Sequence, residues 1–378
     1  MSRGGFTLGK ILGIEITVDY SWFIIFFIVT WSLSFGYFPS VYSEFSNNTN
    51  IILGIFTSVL FFASALIHEL SHSVIAKRNG LDVKKISFFI FGGVAHISEE
   101  PKTAGIEFKM AIAGPLSSLI LAVTFYLLYY FFITYTAILE LMPIFQTLAF
   151  LNFTLAIFNL LPGFPLDGGR VLRSVIWAIN HSLKKATYYA SIGGKFIASL
   201  LIVGGILETF IIRSLGGIWL VLVGFFFYQA AGISYRQMIF RELLSKIKVR
   251  DLMNHEEDFI PLHLKISDLF LRFLQHHKSN FLVIDNGNNI IGSINSNQLS
   301  GINEERIKDL EVKDVMTKID LIKSSVDPQD SMTKAFDIMN ENSLSKLPVL
   351  KERRFMGTIS INDIDEYLKM KLKIPNNT

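Results

Sequence analysis

The stretch "SALIHELSHSVIAKRNG", Ser64–Gly80, decides how this chain is to be read. It places two histidines and a glutamate at the end of "IILGIFTSVLFFASALI", Ile51–Ile67, a run without a single charge. Ionisable side chains inside an apolar helix are expensive and by default mark function. Residues four apart share a helix face, so His68 and His72 stand one turn apart on one side. His68-Glu69-Leu70-Ser71-His72 is therefore H-E-x-x-H: two imidazoles able to share one metal ion, and a glutamate able to take a proton from water held there. In a soluble helix five residues could match by chance. In an apolar one, three ionisable groups with nothing bound to them would cost too much.

Composition agrees with a membrane setting. The chain has 378 residues, room for two or more domains, and is 51% hydrophobic. Only 18% of its residues are charged, against roughly 25% in ordinary soluble domains. Apolar residues dominate up to about Gln229, and after Tyr235 the chain reads as soluble. A spanning helix needs about 20 mostly apolar residues. Six are expected, near Tyr20–Phe38, Ile51–Ala76, Phe108–Ile133, Pro143–Leu161, Lys195–Ile212 and Gly216–Gly232. "ISFFIFGGVAHI", Ile86–Ile97, is too short to span, and its β-branched and aromatic residues around Gly92-Gly93 suit a re-entrant hairpin. The first twenty residues lack a leader pattern, so the first spanning helix is expected to direct insertion. A net charge of +3 is no nucleic-acid-binding signature, and the absence of cysteine excludes disulfides and thiolate chemistry.

Loop charge predicts orientation. The stretch Lys77–Lys109 holds Lys77, Arg78, Lys84, Lys85, Lys102 and Lys109, and the stretch Pro162–Lys195 holds Arg170, Arg173, Lys184, Lys185 and Lys195; Ser40–Asn50 and Thr134–Met142 hold no lysine or arginine. The positive-inside rule then puts both termini, and the His68–His72 end of the second helix, in the cytoplasm of a multi-pass cell-membrane protein.

A catalytic zinc site takes three protein ligands and leaves one position open. "FNLLPGFPLDGGRVLRS", Phe158–Ser174, offers Asp167 on the same side of the membrane. Pro162 and Pro165 forbid a regular helix before it, while Gly168 and Gly169 allow a close backbone approach. An Asp-Gly-Gly alone is an ordinary turn; beside a zinc motif it reads as a ligand.

These pieces together resemble the site-2 protease family of intramembrane zinc metalloproteases. The resemblance covers roughly the first 235 residues and includes "FGGVA", Phe91–Ala95, and "AGPLSS", Ala113–Ser118. It implies one zinc per chain on His68, His72 and Asp167, with Glu69 as general base, cutting a membrane-protein substrate within the lipid bilayer. It also implies that Asn159 contacts substrate or stabilises an oxyanion, although a helix-end asparagine can equally satisfy its own backbone. Cobalt or iron would suit the same ligands. The Gly92-Gly93 hairpin could offer an edge to an unwound substrate, or serve packing. His96 reads as a cavity or surface histidine, and Gly114 and Pro115 as packing and kinking residues.

The second half contains a repeat. "VRDLM", Val249–Met253, recurs as "VKDVM", Val312–Met316; "FLVIDNGNNIIGSINSNQL", Phe281–Leu299, recurs as "LPVLKERRFMGTISINDI", Leu347–Ile364. Two modules, 249–310 and 311–371, are expected after a membrane domain 1–235 and a linker helix 236–248. They resemble a tandem pair of cystathionine-β-synthase (CBS) domains, soluble α/β modules. That resemblance implies homodimerisation and an adenosine nucleotide, with Ser360 and Asp363 at the ribose; Asn295 and Gln298 stand there in the first copy. Asp363 could also cap its helix. The expected fold is thus a polytopic α-helical membrane domain of about six spanning helices plus soluble α/β tandem CBS domains. A CBS-regulated transporter has no need of H-E-x-x-H with a matching aspartate, and an inactive scaffold no need of Glu69.

Overall fold

The computed structural model describes residues 5–90, 92–97, 100–135, 141–213, 216–255, 259–276, 280–287, 289–295, 298–299, 310–318, 321, 324–342, 344–352 and 354–373. Phe91 of the "FGGVA" motif lies outside them, as does most of the helix expected to close the first repeat. The chain divides into two units, Met1–Met238 and Ile239–Thr378.

Among the described residues the first unit contains six helices long and apolar enough to cross a membrane: α1 (Trp22–Val41), α2 (Asn47–Arg78), α3 (Ala104–Tyr135), α4 (Met142–Asn159), α6 (Leu183–Ile212) and α7 (Gly216–Ser245), the last running on into the second unit. Between α4 and α6 lies the shorter, amphipathic α5 (Asp167–Asn180). Large apolar side chains face outward on every spanning helix, among them Phe27, Phe56, Leu127, Phe150, Phe196 and Phe225. Such a surface matches a hydrocarbon solvent, and the protein is a multi-pass membrane protein. Small residues instead mark the helix contacts. Ala186, Ala190, Gly194 and Ala198 form the buried stripe of α6, and their spacing lets backbones approach.

Two helices exceed the expected bounds by three turns or more. α6 starts twelve residues early because Ser182 caps it, its side chain accepting from the Lys185 N–H. Its first turns carry lysines and tyrosines that no hydropathy window would include. α7 likewise runs past Gly232 on polar residues.

A four-stranded sheet accompanies the bundle, ordered β1 (Gly5–Ile11), β2 (Ile14–Asp19), β3 (Val83–Phe89), β4 (Gly92–Ile97). The expected hairpin is β3–β4, paired antiparallel with Phe88 opposite Gly93. The β1–β2 hairpin is a finding beyond expectation. Its turn uses Leu12 and Gly13 at positive φ, and β2 runs parallel to β3 with Ile16 beside Ile86. Ile14, Ile16 and Val18 alternate inward onto Ala76 and Met110, so this sheet packs against the α2 end that carries the histidines.

The second unit repeats strand, helix, strand, strand: β5 (Phe259–Pro261), α8 (Ile266–His276), β6 (Asn280–Ile284), β7 (Ile290–Asn295), then, after the short α9 (Val312–Val315) and β8 (Thr317–Lys318), α10 (Met332–Glu341), β9 (Lys346–Lys351), β10 (Arg354–Ser360) and α11 (Ile361–Lys373). Each "V-R/K-D" copy folds alike. The Asp251 carboxylate accepts from the Lys248 N–H, and Asp314 from Glu311 N–H, both at 3.0 Å. The repeats share one core, in which Val249, Leu282, Met332, Leu347 and Ile359 are all buried.

The segment 160–166, which delivers Asp167, lies backbone to backbone on α6. Phe164 N–H donates to the Ala190 carbonyl at 3.1 Å, and a Cβ on Gly194 would overlap the Phe164 carbonyl oxygen. Gly194→Ala is therefore expected to push this segment off the helix, at an overpacking cost of about 1–3 kcal/mol. Thermal unfolding in detergent, read with metal content, checks it: both should fall.

Candidate metal centre

α2 presents His68 and His72 one turn apart, both buried and edge to face. α5 opens with Asp167, in the first turn, where the helix dipole favours a carboxylate. The Asp167 Oδ2 atom stands 3.1 Å from the Nε2 atoms of both histidines. One donor atom from each residue lies within 4.8 Å of the others.

The outer nitrogens fix what the inner ones can do. His72 Nδ1 is 2.6 Å from the Met110 carbonyl oxygen, and His68 Nδ1 is 2.8 Å from Ser118 Oγ. A carbonyl only accepts, so His72 carries its proton on Nδ1. In the neutral ring its Nε2 lone pair then faces the lone pairs of Asp167 Oδ2, an arrangement that a cation between them resolves. The outer hydrogen bond is also the usual support for a metal-ligating histidine. Zinc–donor bonds of about 2.0–2.2 Å in a tetrahedron put donors roughly 3.3–3.5 Å apart, close to the 3.1 Å found. The residues fit the metal.

α3 makes room for it. Met110, Gly114 and Ser118 lie on one buried face of that helix, and a Cβ on Gly114 would overlap Nε2 of both histidines. Glu69 follows His68 and is half-buried, its side chain against the Gly93 backbone in β4. The hairpin thus lies over Glu69. β4 is the terminal strand of its sheet, and its outer edge has no strand partner among the described residues. A buried ion pair ties α5, which bears Asp167, to α3, whose Met110 and Ser118 contact the histidines. Arg173 of α5 donates through Nε to Glu107 Oε1 of α3 at 2.6 Å and sits over the Phe164 ring at 5.3 Å.

The structure brings His68, Glu69, His72 and Asp167 together. Asn159 ends α4 and donates from Nδ2 to the Leu155 carbonyl at 3.0 Å. His96 lies on β4, bonded to Ser87 Oγ at 3.1 Å; burial and the neighbouring Lys85 hold it below the usual imidazole value, so it is neutral at pH 7. Ser360 and Asp363 face each other across the start of α11: the Asp363 carboxylate accepts from Ser360 N–H and Oγ–H at 2.7 and 2.6 Å. Asn295 and Gln298 form the same reciprocal cap, at 2.7 and 3.0 Å. Sequence reasoning missed the supporting roles of Met110, Ser118, Glu107 and Arg173. The buried spacing Glu107, Met110, Gly114, Ser118 was the available signal.

Comparison with known proteins identifies the family. The model of peptidase family M50 matches residues 56–142 and 135–203, and the CBS domain model matches 312–370. The zinc metalloprotease MJ0392 of Methanocaldococcus jannaschii is 30% identical over 360 residues, 94% of each chain. The Synechocystis protein sll0528 is 31% identical over 353 residues, 91% of this chain and 90% of its own. The chain belongs to peptidase family M50. It is a metalloendopeptidase of the site-2 type with a CBS domain at its C-terminal side. A solved site-2 protease from M. jannaschii is 31% identical, covering 61% of this chain and 95% of its own, with a TM-score of 0.42. The M50 matches contain all four residues of the centre.

Gly114→Ala tests the geometry. It should lower zinc affinity about 10–100-fold, the range seen when ligand support is lost. Zinc titration of the purified protein against a competing chelator checks it.

Proposed function

We propose that this chain is an intramembrane zinc peptidase that hydrolyses a peptide bond within or near a transmembrane segment of a membrane-protein substrate. The observation that carries the proposal is the convergence of His68, His72 and Asp167 beside Glu69 inside an apolar helix bundle. Zinc on those three ligands would act as Lewis acid on the scissile carbonyl and bring the pKa of bound water to about 7. Glu69 takes the proton of the attacking water and returns it to the leaving amine. The free edge of β4 pairs with a substrate segment unwound from its helix, since a helical peptide bond is sealed by its own hydrogen bonds. Asn159 has a second amide hydrogen with which to donate to the substrate.

The CBS pair, 249–310 and 311–371, is the regulatory part in this reading. It binds an adenosine nucleotide at Ser360 and Asp363, where a carboxylate at a helix start can accept from ribose hydroxyls, and it pairs two copies of the chain. The loop charges support a cytoplasmic position for both termini and for this module. Cleavage of a membrane-anchored regulator would then answer to cytoplasmic nucleotide.

Glu69→Gln should keep about one zinc per chain yet lower cleavage of a model transmembrane substrate about 10²–10⁴-fold. His72→Ala should lose both. Metal analysis and a gel-based cleavage assay on the same samples check this. A wild type that folds without binding zinc would sink the reading. For the CBS pair, calorimetric titration with ATP, AMP and S-adenosylmethionine should show one ligand bound, and Asp363→Ala should abolish it. If none binds, the module serves dimerisation alone.

A further inference from the structure

Charge is one-sided over the last two spanning helices of the first unit. Between Asp167 and Glu242 the chain holds one acidic residue, Glu208, against eight lysines and arginines. Arg173 and Arg241 reach carboxylates on other elements. Lys195 of α6 and Arg236 of α7 do not. Among the described residues neither side chain has a hydrogen bond or an ion pair. The Lys195 ammonium instead stands over the ring of Tyr228, 5.6 Å from its centroid. A half-buried cation among apolar helices is expensive unless its head reaches water or an anion.

The two cations converge. A Cβ on Gly232 would lie 3.7 Å from Lys195 Cε and 3.8 Å from Arg236 Nη2, so both flank a notch where α7 carries no side chain. Like charges so placed repel, and an anion between them reverses the sign of the interaction. The helices are held in register here. Ser191 Oγ donates to the Ala231 carbonyl at 2.7 Å, and the Tyr188 and Tyr235 rings stand 5.4 Å apart. Length sets the depth. From Lys195 to Ile212 α6 rises about 27 Å, close to the roughly 30 Å of a hydrocarbon core. An Ile212 end at one face of the core puts Lys195 at the other, level with the phosphates. Tyr188 and Tyr228 are exposed beside the pair, as tyrosines are where headgroups begin.

We propose that Lys195, Arg236 and the Gly232 notch bind the phosphate of an anionic phospholipid headgroup. Arg236 is exposed and offers a planar fork of N–H donors, while Lys195 offers a point charge. A basic pocket between spanning helices at headgroup level is the setting in which such lipids are held. The lipid-facing surface runs into the notch. Phe196 follows Lys195, Phe225 lies one turn before Tyr228, and both rings are more than half exposed. That continuity favours a lipid over a phosphate free in solution. The site does not depend on the peptidase activity.

Native mass spectrometry of the whole protein, released from detergent after titration with phosphatidylglycerol or phosphatidylcholine, tests this. One phosphatidylglycerol per chain should be retained at a lipid concentration that leaves phosphatidylcholine unbound. Lys195→Met with Arg236→Gln should weaken that binding at least about tenfold. Lys184→Gln with Lys185→Gln removes equal charge from exposed residues at the same end of α6 and should leave it unchanged. Gly232→Leu keeps both cations, fills the notch and suits a helix better than glycine does. It should weaken binding as much as the neutralised pair, with the melting temperature not lowered. Equal retention of the two lipids overturns the site, and so does binding that survives either the neutralised pair or Gly232→Leu. An equal loss in the Lys184 and Lys185 variant shows diffuse attraction and overturns it too. Release of phosphatidylglycerol by millimolar inorganic phosphate overturns the assignment to lipid in favour of a free anion.

Discussion

The constraint on which the membrane unit depends is the meeting of two imidazoles and a carboxylate inside apolar helices. The Met110 carbonyl claims the outer proton of His72, so the inner nitrogen can only offer a lone pair. Asp167 offers more lone pairs to the same point. Without a cation, the two would repel in a medium that screens poorly. With one, the three ligands satisfy one another. α2 must place its histidines one turn apart, α3 must lack a side chain at Gly114, and the chain must deliver Asp167 from about a hundred residues away.

That delivery is where the packing is concentrated. The segment before Asp167 passes through Pro162 and Pro165, so it cannot lean on helical hydrogen bonds. It leans on α6 instead, through the Phe164–Ala190 hydrogen bond and the close contact at Gly194. The Glu107–Arg173 pair then joins α5 back to α3, the helix whose Met110 and Ser118 hold the histidines. The result is a closed ring of contacts: α2 to α3 through the outer nitrogens, α3 to α5 through the ion pair, α5 to α2 through Asp167. A buried pair of this kind is a poor source of net stability, because desolvation offsets its attraction. Its energetic leverage appears when one partner is lost, because the other then stays buried and unpaired.

The parts of this arrangement that could be read from the sequence are those whose chemistry fixes their spacing. Two metal ligands on one helix must be a turn apart, so His68 and His72 announce themselves; spanning helices must reach a set length, so all six were visible, without the polar turns that begin α6 and end α7. The Gly92-Gly93 hairpin was legible because a short β-branched run can neither span nor stay unpaired in lipid. What escaped had no such fixed spacing. Met110 acts through a backbone carbonyl that any residue could supply. Glu107 and Arg173 are 66 residues apart and meet only once the helices have packed. The β1–β2 hairpin alternates over a few residues, Ile14, Ile16 and Val18, too short a pattern to stand out beside the hydropathy of α1.

The second unit makes the same point from its repeat. Both copies follow a strand with one device: a side chain at the fourth position accepting from the first N–H. Asn295 with Gln298 and Ser360 with Asp363 do so at nearly equal distances. Folding alone therefore accepts an amide or a carboxylate there. Only the second copy keeps a negative charge at this place, and an anionic acceptor makes stronger hydrogen bonds to hydroxyl donors than a neutral amide does. The cap explains why a polar residue stands at each position. The charge separates the two copies, and it is the part of Asp363 that the fold does not demand.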